Sequence, residues 1–124
     1  MNPMYITILK LKISPGNKKA AIEILRSLRE SLSSKQGCAG CEAYESVEVR
    51  DQLFYIERWM SKKALYRHIQ SDLYRRMMSV MDLASEAPVI SFHETVQIGG
   101  MELVADLREA GERPVRPVFG KTGP

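Results

Sequence analysis

Only two cysteines occur among the 124 residues, too few to staple a domain of this size, so a hydrophobic core must hold the fold. No apolar stretch approaches the roughly 20 residues that a bilayer span needs. The N-terminus also lacks a long apolar segment behind a basic start, the mark of an export signal. These absences predict a soluble, cytoplasmic protein. Lys and Arg never form a run, and eighteen basic against fifteen acidic residues leave a net charge of +3. Such a mixed surface does not ask for DNA or RNA. Two cysteines and two histidines far apart in the chain argue against a zinc site, so no metal is expected. There is neither an internal repeat nor a low-complexity tract. What is present, 44% hydrophobic residues, fits one small globular domain whose core would gain from a partner chain.

The aromatic and titratable groups concentrate in Leu53–His68, which holds the only Trp, one of two His and two of five Tyr. Leu53, Tyr55, Glu57 and Trp59 alternate with Phe54, Ile56 and Arg58, as strand side chains do. Ser61 then reads as the N-cap of a helix over Lys62–Gln70. A strand running straight into a helix makes this junction the natural place for a pocket.

Around it, Met4–Ile13 alternates as a first strand, apolar on both faces near its start and therefore central. Ser14-Pro15 opens a helix, Ser14 as the cap and Pro15 at the first helical position. Ala21, Leu25, Leu28 and Leu32 form its buried stripe, with Lys18, Arg26, Arg29 and Glu30 on the wet side. Gly37 ends the segment. A second strand is expected over Cys41–Val49 with its odd positions inward, returning through Arg50-Asp51-Gln52 as a hairpin. Ser71-Asp72 should cap another helix carrying Leu73, Met77, Val80, Met81 and Ala84, and Met77, Met78 and Met81 read as packing. Val89–Ile98 is the fourth strand. Met101–Leu107 fits both periods and is taken as a strand added to a sheet edge, followed from Arg108 by a flexible tail with too little apolar surface to fold alone. The division is thus a domain over 1–100 and an extension over 101–124. Segregated helices and a hairpin argue for an α+β fold, an antiparallel sheet with helices on one face. The uncovered face calls for a second copy, a twofold homodimer.

Ser14-Pro15-Gly16, Gly37-Cys38-Ala39-Gly40-Cys41, Ile56-Glu57-Arg58-Trp59 leading to Ala64-Leu65 and His68, and Glu86-Ala87-Pro88 together resemble the antibiotic biosynthesis monooxygenase (ABM) domains of the dimeric α+β barrel superfamily. The resemblance covers about the first hundred residues, in family order. It implies a ferredoxin-like protomer, a homodimeric barrel and a small-molecule pocket between sheet and helices. It also implies oxidation of quinols or polycyclic phenols by dioxygen with no metal or flavin. Trp59 stands where polyketide-oxidising members place a pocket Trp, and His68 where quinol-oxidising members often carry a His. Tyr55 and Leu65 replace the Asn and Tyr of the polyketide branch, and Leu73 replaces a frequent second His. Leu9, His68 and Met78 stand where the haem-degrading branch needs Asn, Trp and His, so haem breakdown is not expected.

The implied site has His68 as catalytic base, with Trp59, Tyr55, Leu65 and Leu73 as substrate-binding walls. An imidazole titrating near neutrality can take a phenolic proton. Each residue also has a plain structural reading: His68 at a helix edge, Trp59 as a core anchor, Tyr55 satisfying a local hydrogen bond. Glu57 is expected in an ion pair with a helix or the partner chain, because Arg58 points to the opposite face. Cys38 and Cys41 have redox spacing but enter a strand, where an offset of three separates the sulfurs unless Gly40 bends the chain. His93 lies on the polar side of the last strand, towards barrel or dimer interface. The rival functions are a non-catalytic small-molecule-binding dimer and an isomerase using His68 without oxygen.

Overall fold

The computed structural model describes residues 2–112. Their elements run β1 (Met4–Lys12), α1 (Pro15–Leu32), β2 (Cys38–Glu45), β3 (Gln52–Trp59), α2 (Lys62–Ile69), α3 (Tyr74–Asp82), β4 (Val89–Thr95) and α4 (Met101–Glu112). The four strands form one antiparallel sheet in the order β2-β3-β1-β4, the ferredoxin-like arrangement expected of this element order. Central β1 pairs Leu9 with Tyr55, Thr7 with Glu57 and Tyr5 with Trp59. On that face Thr7, Leu9, Leu11, Leu53, Tyr55, Glu57 and Trp59 are all buried, beneath the helices. The perfect alternation along β3 follows from one face packing on helices and the other lying open.

α1 is fixed by its stripe rather than by propensity, since an isolated helix of this length is marginal in water. Ala21, Leu25, Leu28 and Leu32 are buried as the spacing predicts. Each leucine contributes roughly 1.5–3 kcal/mol by leaving water. Pro15 occupies the first turn, but Ser14 makes no side-chain cap bond; only its carbonyl accepts from the Asn17 N–H. Arg76 ties α3 to α1 by donating to the Ser27 and Ser31 hydroxyls.

Several expectations need correction. β2 starts three residues earlier than the alternation suggested and ends at Glu45, because a register shift between Cys38 and Gly40 inserts a residue that a strict period of two cannot accommodate. Val47 and Val49 accordingly lie exposed in the hairpin loop, where Asp51 adopts a positive φ of 59°. Ser71 and Asp72 do not cap α3; Leu73 stands at that position without a side-chain bond, and Ser71 instead donates to the His68 carbonyl. Met77 is fully buried and Met81 packs against the core, while Met78 is 54% exposed, so Met78 alone of the three does not pack as expected. β4 stops at Thr95, short of Ile98.

The edge strand expected over Met101–Leu107 is a helix, α4. Glu102, in its first turn, accepts from the Gly100 N–H, a carboxylate favoured by a helix N-terminus. Arg108 to Glu112 continue that helix, so the tail does not begin at Arg108; the rest of the expected tail lies outside the described residues. Over residues 101–111 only Leu103 is partly sheltered.

Candidate functional site

Glu57 is a carboxylate with no exposed surface, a placement that costs several kcal/mol unless the charge is partnered. Two partners come from its own neighbourhood. Trp59, two residues on and therefore on the same strand face, donates its indole N–H to Oε1 at 3.0 Å. His68 brings Nε2 to Oε2 at 3.2 Å. The expected partner from a helix is thus His68, held by a hydrogen bond that is an ion pair only when the imidazole is protonated, and Arg58 does pair elsewhere, with Glu42 at 2.8 Å on the opposite face.

The local structure explains why the imidazole stands there. Ser61 Oγ accepts the Ala64 N–H at 3.0 Å, starting α2 immediately after β3 as the sequence predicted. Ala64, Leu65 and His68 then form its buried side. Gly37 lets the loop after α1 lie against this helix: its φ is +87°, and a Cβ there would sit 2.6 Å from Ala64 Cβ. Its carbonyl accepts the Met60 N–H. Ser71 Oγ closes the other end by donating to the His68 carbonyl at 2.7 Å. The ring itself stacks on Trp59 at 4.8 Å and receives Tyr74 edge-on at 5.2 Å. Burial first, and then the charge of Glu57, raise the Tyr74 hydroxyl above the ordinary phenol range.

A carboxylate already accepting one N–H is best served by a second donor, so His68 Nε2 is assigned as donating to Glu57. An imidazole so held can take a proton, and the resulting cation lies against a buried carboxylate, the relation that stabilises an imidazolium in general-base catalysis.

Of the residues singled out in the sequence, the structure brings His68 and Trp59 together beside a crevice of about 80 Å³ that also touches Ala64, Arg67 and Ser71. Tyr55 shares their sheet face but lines a different, larger cavity of about 330 Å³ between α1 and the β2–β3 hairpin. Its hydroxyl is buried with no hydrogen-bond partner among the described residues, as is that of Thr7. Burial, followed by the charge of Glu57, pushes the Tyr55 phenol far upward, so it acts as a hydrogen-bond donor and not as a base. Leu65 is buried, Leu73 packs against the core, and neither lines these two cavities.

Cys38 pairs with Trp59 and Cys41 with Glu57 across the bulge, so Gly40, at a φ of +144°, does turn both cysteines to one side. Both remain free, and burial raises both thiols, the opposite of an activated pair. His93 is exposed and bonds Ser91, away from the site. Among the described residues no group of His, Cys, Asp and Glu could hold a metal ion, and no helix is long and apolar enough to cross a membrane. The Glu57–His68 contact was not legible beforehand. Its only signal was that each residue occupies an inward position on its own element.

A family model described as antibiotic biosynthesis monooxygenase matches residues 4–80. No curated protein matches the chain. Among solved structures, a conserved protein from Methanosarcina mazei Go1 superposes with a TM-score of 0.70 at 19% identity, covering 76% of this chain and 94% of the other. A protein from Nitrosomonas europaea assigned to the same monooxygenase family gives 0.70 at 18%, covering 81% and 97%. One from Caulobacter crescentus CB15 gives 0.69 at 20%, covering 77% and 92%. At these identities the structural likeness speaks for the fold.

Proposed function

The chain belongs to the antibiotic biosynthesis monooxygenase family, and from that premise we propose that it is a cofactor-independent monooxygenase oxidising a small aromatic quinol or phenol with dioxygen. The observation that carries the reading is the buried Glu57–His68 pair, stacked on Trp59. His68 takes the phenolic proton, with Glu57 holding the imidazole and offsetting its charge. The electron-rich anion passes one electron to dioxygen, and the two radicals join at a ring carbon as a peroxide. Loss of water leaves one oxygen atom in the product. Trp59 flanks the flat substrate beside His68, while Tyr55, which lines the neighbouring cavity, and Leu65 and Leu73, which pack in the core behind, act on the site from outside the crevice.

Two copies are proposed to pair through the face of the sheet opposite the helices, where Ile6, Ile8, Phe54 and Ile56 are only half-buried in the single chain.

The test is dioxygen uptake by metal-stripped protein over a panel of quinols and polycyclic phenols. His68→Ala should lower the rate by about 10²- to 10⁴-fold, the usual contribution of a general base. An unchanged rate in that variant removes His68 from the mechanism. The size of the crevice at His68, about 80 Å³, favours a second reading, a binding protein without turnover. Ligand binding with no uptake anywhere on the panel would select it.

A further inference from the structure

The larger cavity, between α1 and the β2–β3 hairpin, has a composition that the oxygenase reading does not use. Its floor is apolar, formed by Leu25, Leu53 and the Tyr55 ring. Arg26 and Arg29, one turn apart on α1, stand on its wall. Neither guanidinium has a hydrogen bond or salt bridge among the described residues. The one carboxylate lining the cavity, Glu45, is held by Lys18 and so does not neutralise them. Beneath the floor the Tyr55 hydroxyl is fully buried, with no hydrogen bond of ordinary geometry among the described residues and with Cys41 and Glu57 as its polar neighbours.

We infer that this cavity binds an acidic aromatic, its anionic group between Arg26 and Arg29 and its ring on the apolar floor. The cavity volume of about 330 Å³ lies at the lower end of small-ligand sites, roughly 300–1,000 Å³. Guanidinium forks match carboxylates in geometry, and an apolar wall strengthens their field. As a statement of substrate class it rests on the oxygenase reading; as a binding site it stands without it.

The probes are 1-hydroxy-2-naphthoate, 1-naphthol and 2-naphthoate, titrated calorimetrically into the full chain at about 0.15 M salt, near physiological screening. The acid with both groups should bind about ten- to a hundredfold more tightly than 1-naphthol, as charge-assisted bonds allow. Arg26→Gln with Arg29→Gln should remove that advantage while leaving 1-naphthol unchanged. Equal affinity for all three probes, or a double variant that binds the acid as the parent does, overturns the site. Dioxygen uptake is followed on the same samples. Tight, arginine-dependent binding without uptake leaves the site and removes the oxygenase. Uptake with neutral phenols and no preference for the acid does the reverse.

Discussion

Glu57 shows how one side chain can serve stability and chemistry together. Replacing it by Ala would leave the Trp59 indole N–H and the His68 imidazole without their partner in a buried space, at a cost of about 3–5 kcal/mol. Glu57→Gln keeps the shape and can still accept from Trp59, so its cost should be about 1–2 kcal/mol. Urea denaturation of the two variants checks the ordering; equal losses would mean that the volume and acceptor kept by the amide count for nothing and that the charge carries the whole contribution. Tyr55 makes the opposite case. Its hydroxyl makes no hydrogen bond of ordinary geometry among the described residues, so Tyr55→Phe should raise the stability by about 1 kcal/mol, seen as a higher denaturant midpoint at unchanged slope. A lower midpoint would mean that the hydroxyl is already satisfied without ligand. The sequence made Glu57 conspicuous, as a carboxylate breaking an apolar alternation. It could not supply the partner, because His68 is eleven residues away and the contact depends on the angle at which a short helix leaves a strand.

At the scale of elements, the tightest joint is the loop from α1 against α2. Gly37 combines a positive φ with a gap too small for a methyl group, so Gly37→Ala should cost at least about 2 kcal/mol through strain and overpacking. Thermal unfolding measures it, and a loss under about 0.5 kcal/mol, the scale of an innocuous surface change, would show that the loop relaxes freely. β3 and the start of α2 were legible because a face buried on one side imposes a strict period and Ser61 has one plain use. The first residues of β2 were not, since a bulge at Gly40 cancels the alternation it interrupts. α4 was misread for a different reason: Met101, Val104 and Leu107 suit a helix, while Met101, Leu103 and Leu107 suit a strand, and exposed residues give no packing to decide between them. Glu102 was the overlooked signal. Because α4 shelters so little, truncation after Gly99 should shift the unfolding free energy by no more than about 0.5 kcal/mol at equal protein concentration, and a larger loss would place α4 within the cooperative unit.

For the molecule as a whole, the unresolved balance lies in the sheet. Antiparallel sheets tolerate water on one face when that face is polar. Here the centre of the open face is apolar, with Ile8 opposite Ile56 on β3 and Ser91 on β4. Polar groups stand nearer its margin, as in the Arg58–Glu42 pair. A second sheet packed on this face would bury the isoleucines for roughly 1.5–3 kcal/mol each. Twofold symmetry would count every such residue twice. Ile8→Glu would therefore set two carboxylates facing a dry interface, while the core under the helices, which Ile8 does not join, stays intact. The expected outcome is a dimer for the parent chain at micromolar concentration and a monomer for Ile8→Glu with the same far-ultraviolet circular dichroism, measured by analytical ultracentrifugation. Parental unfolding temperature should also rise with concentration, as it must when only the folded form associates. A variant that stays dimeric would put the interface elsewhere. A parent that sediments as a monomer would leave the apolar centre of this sheet wet, and the single-chain core would then carry the whole stability of the fold.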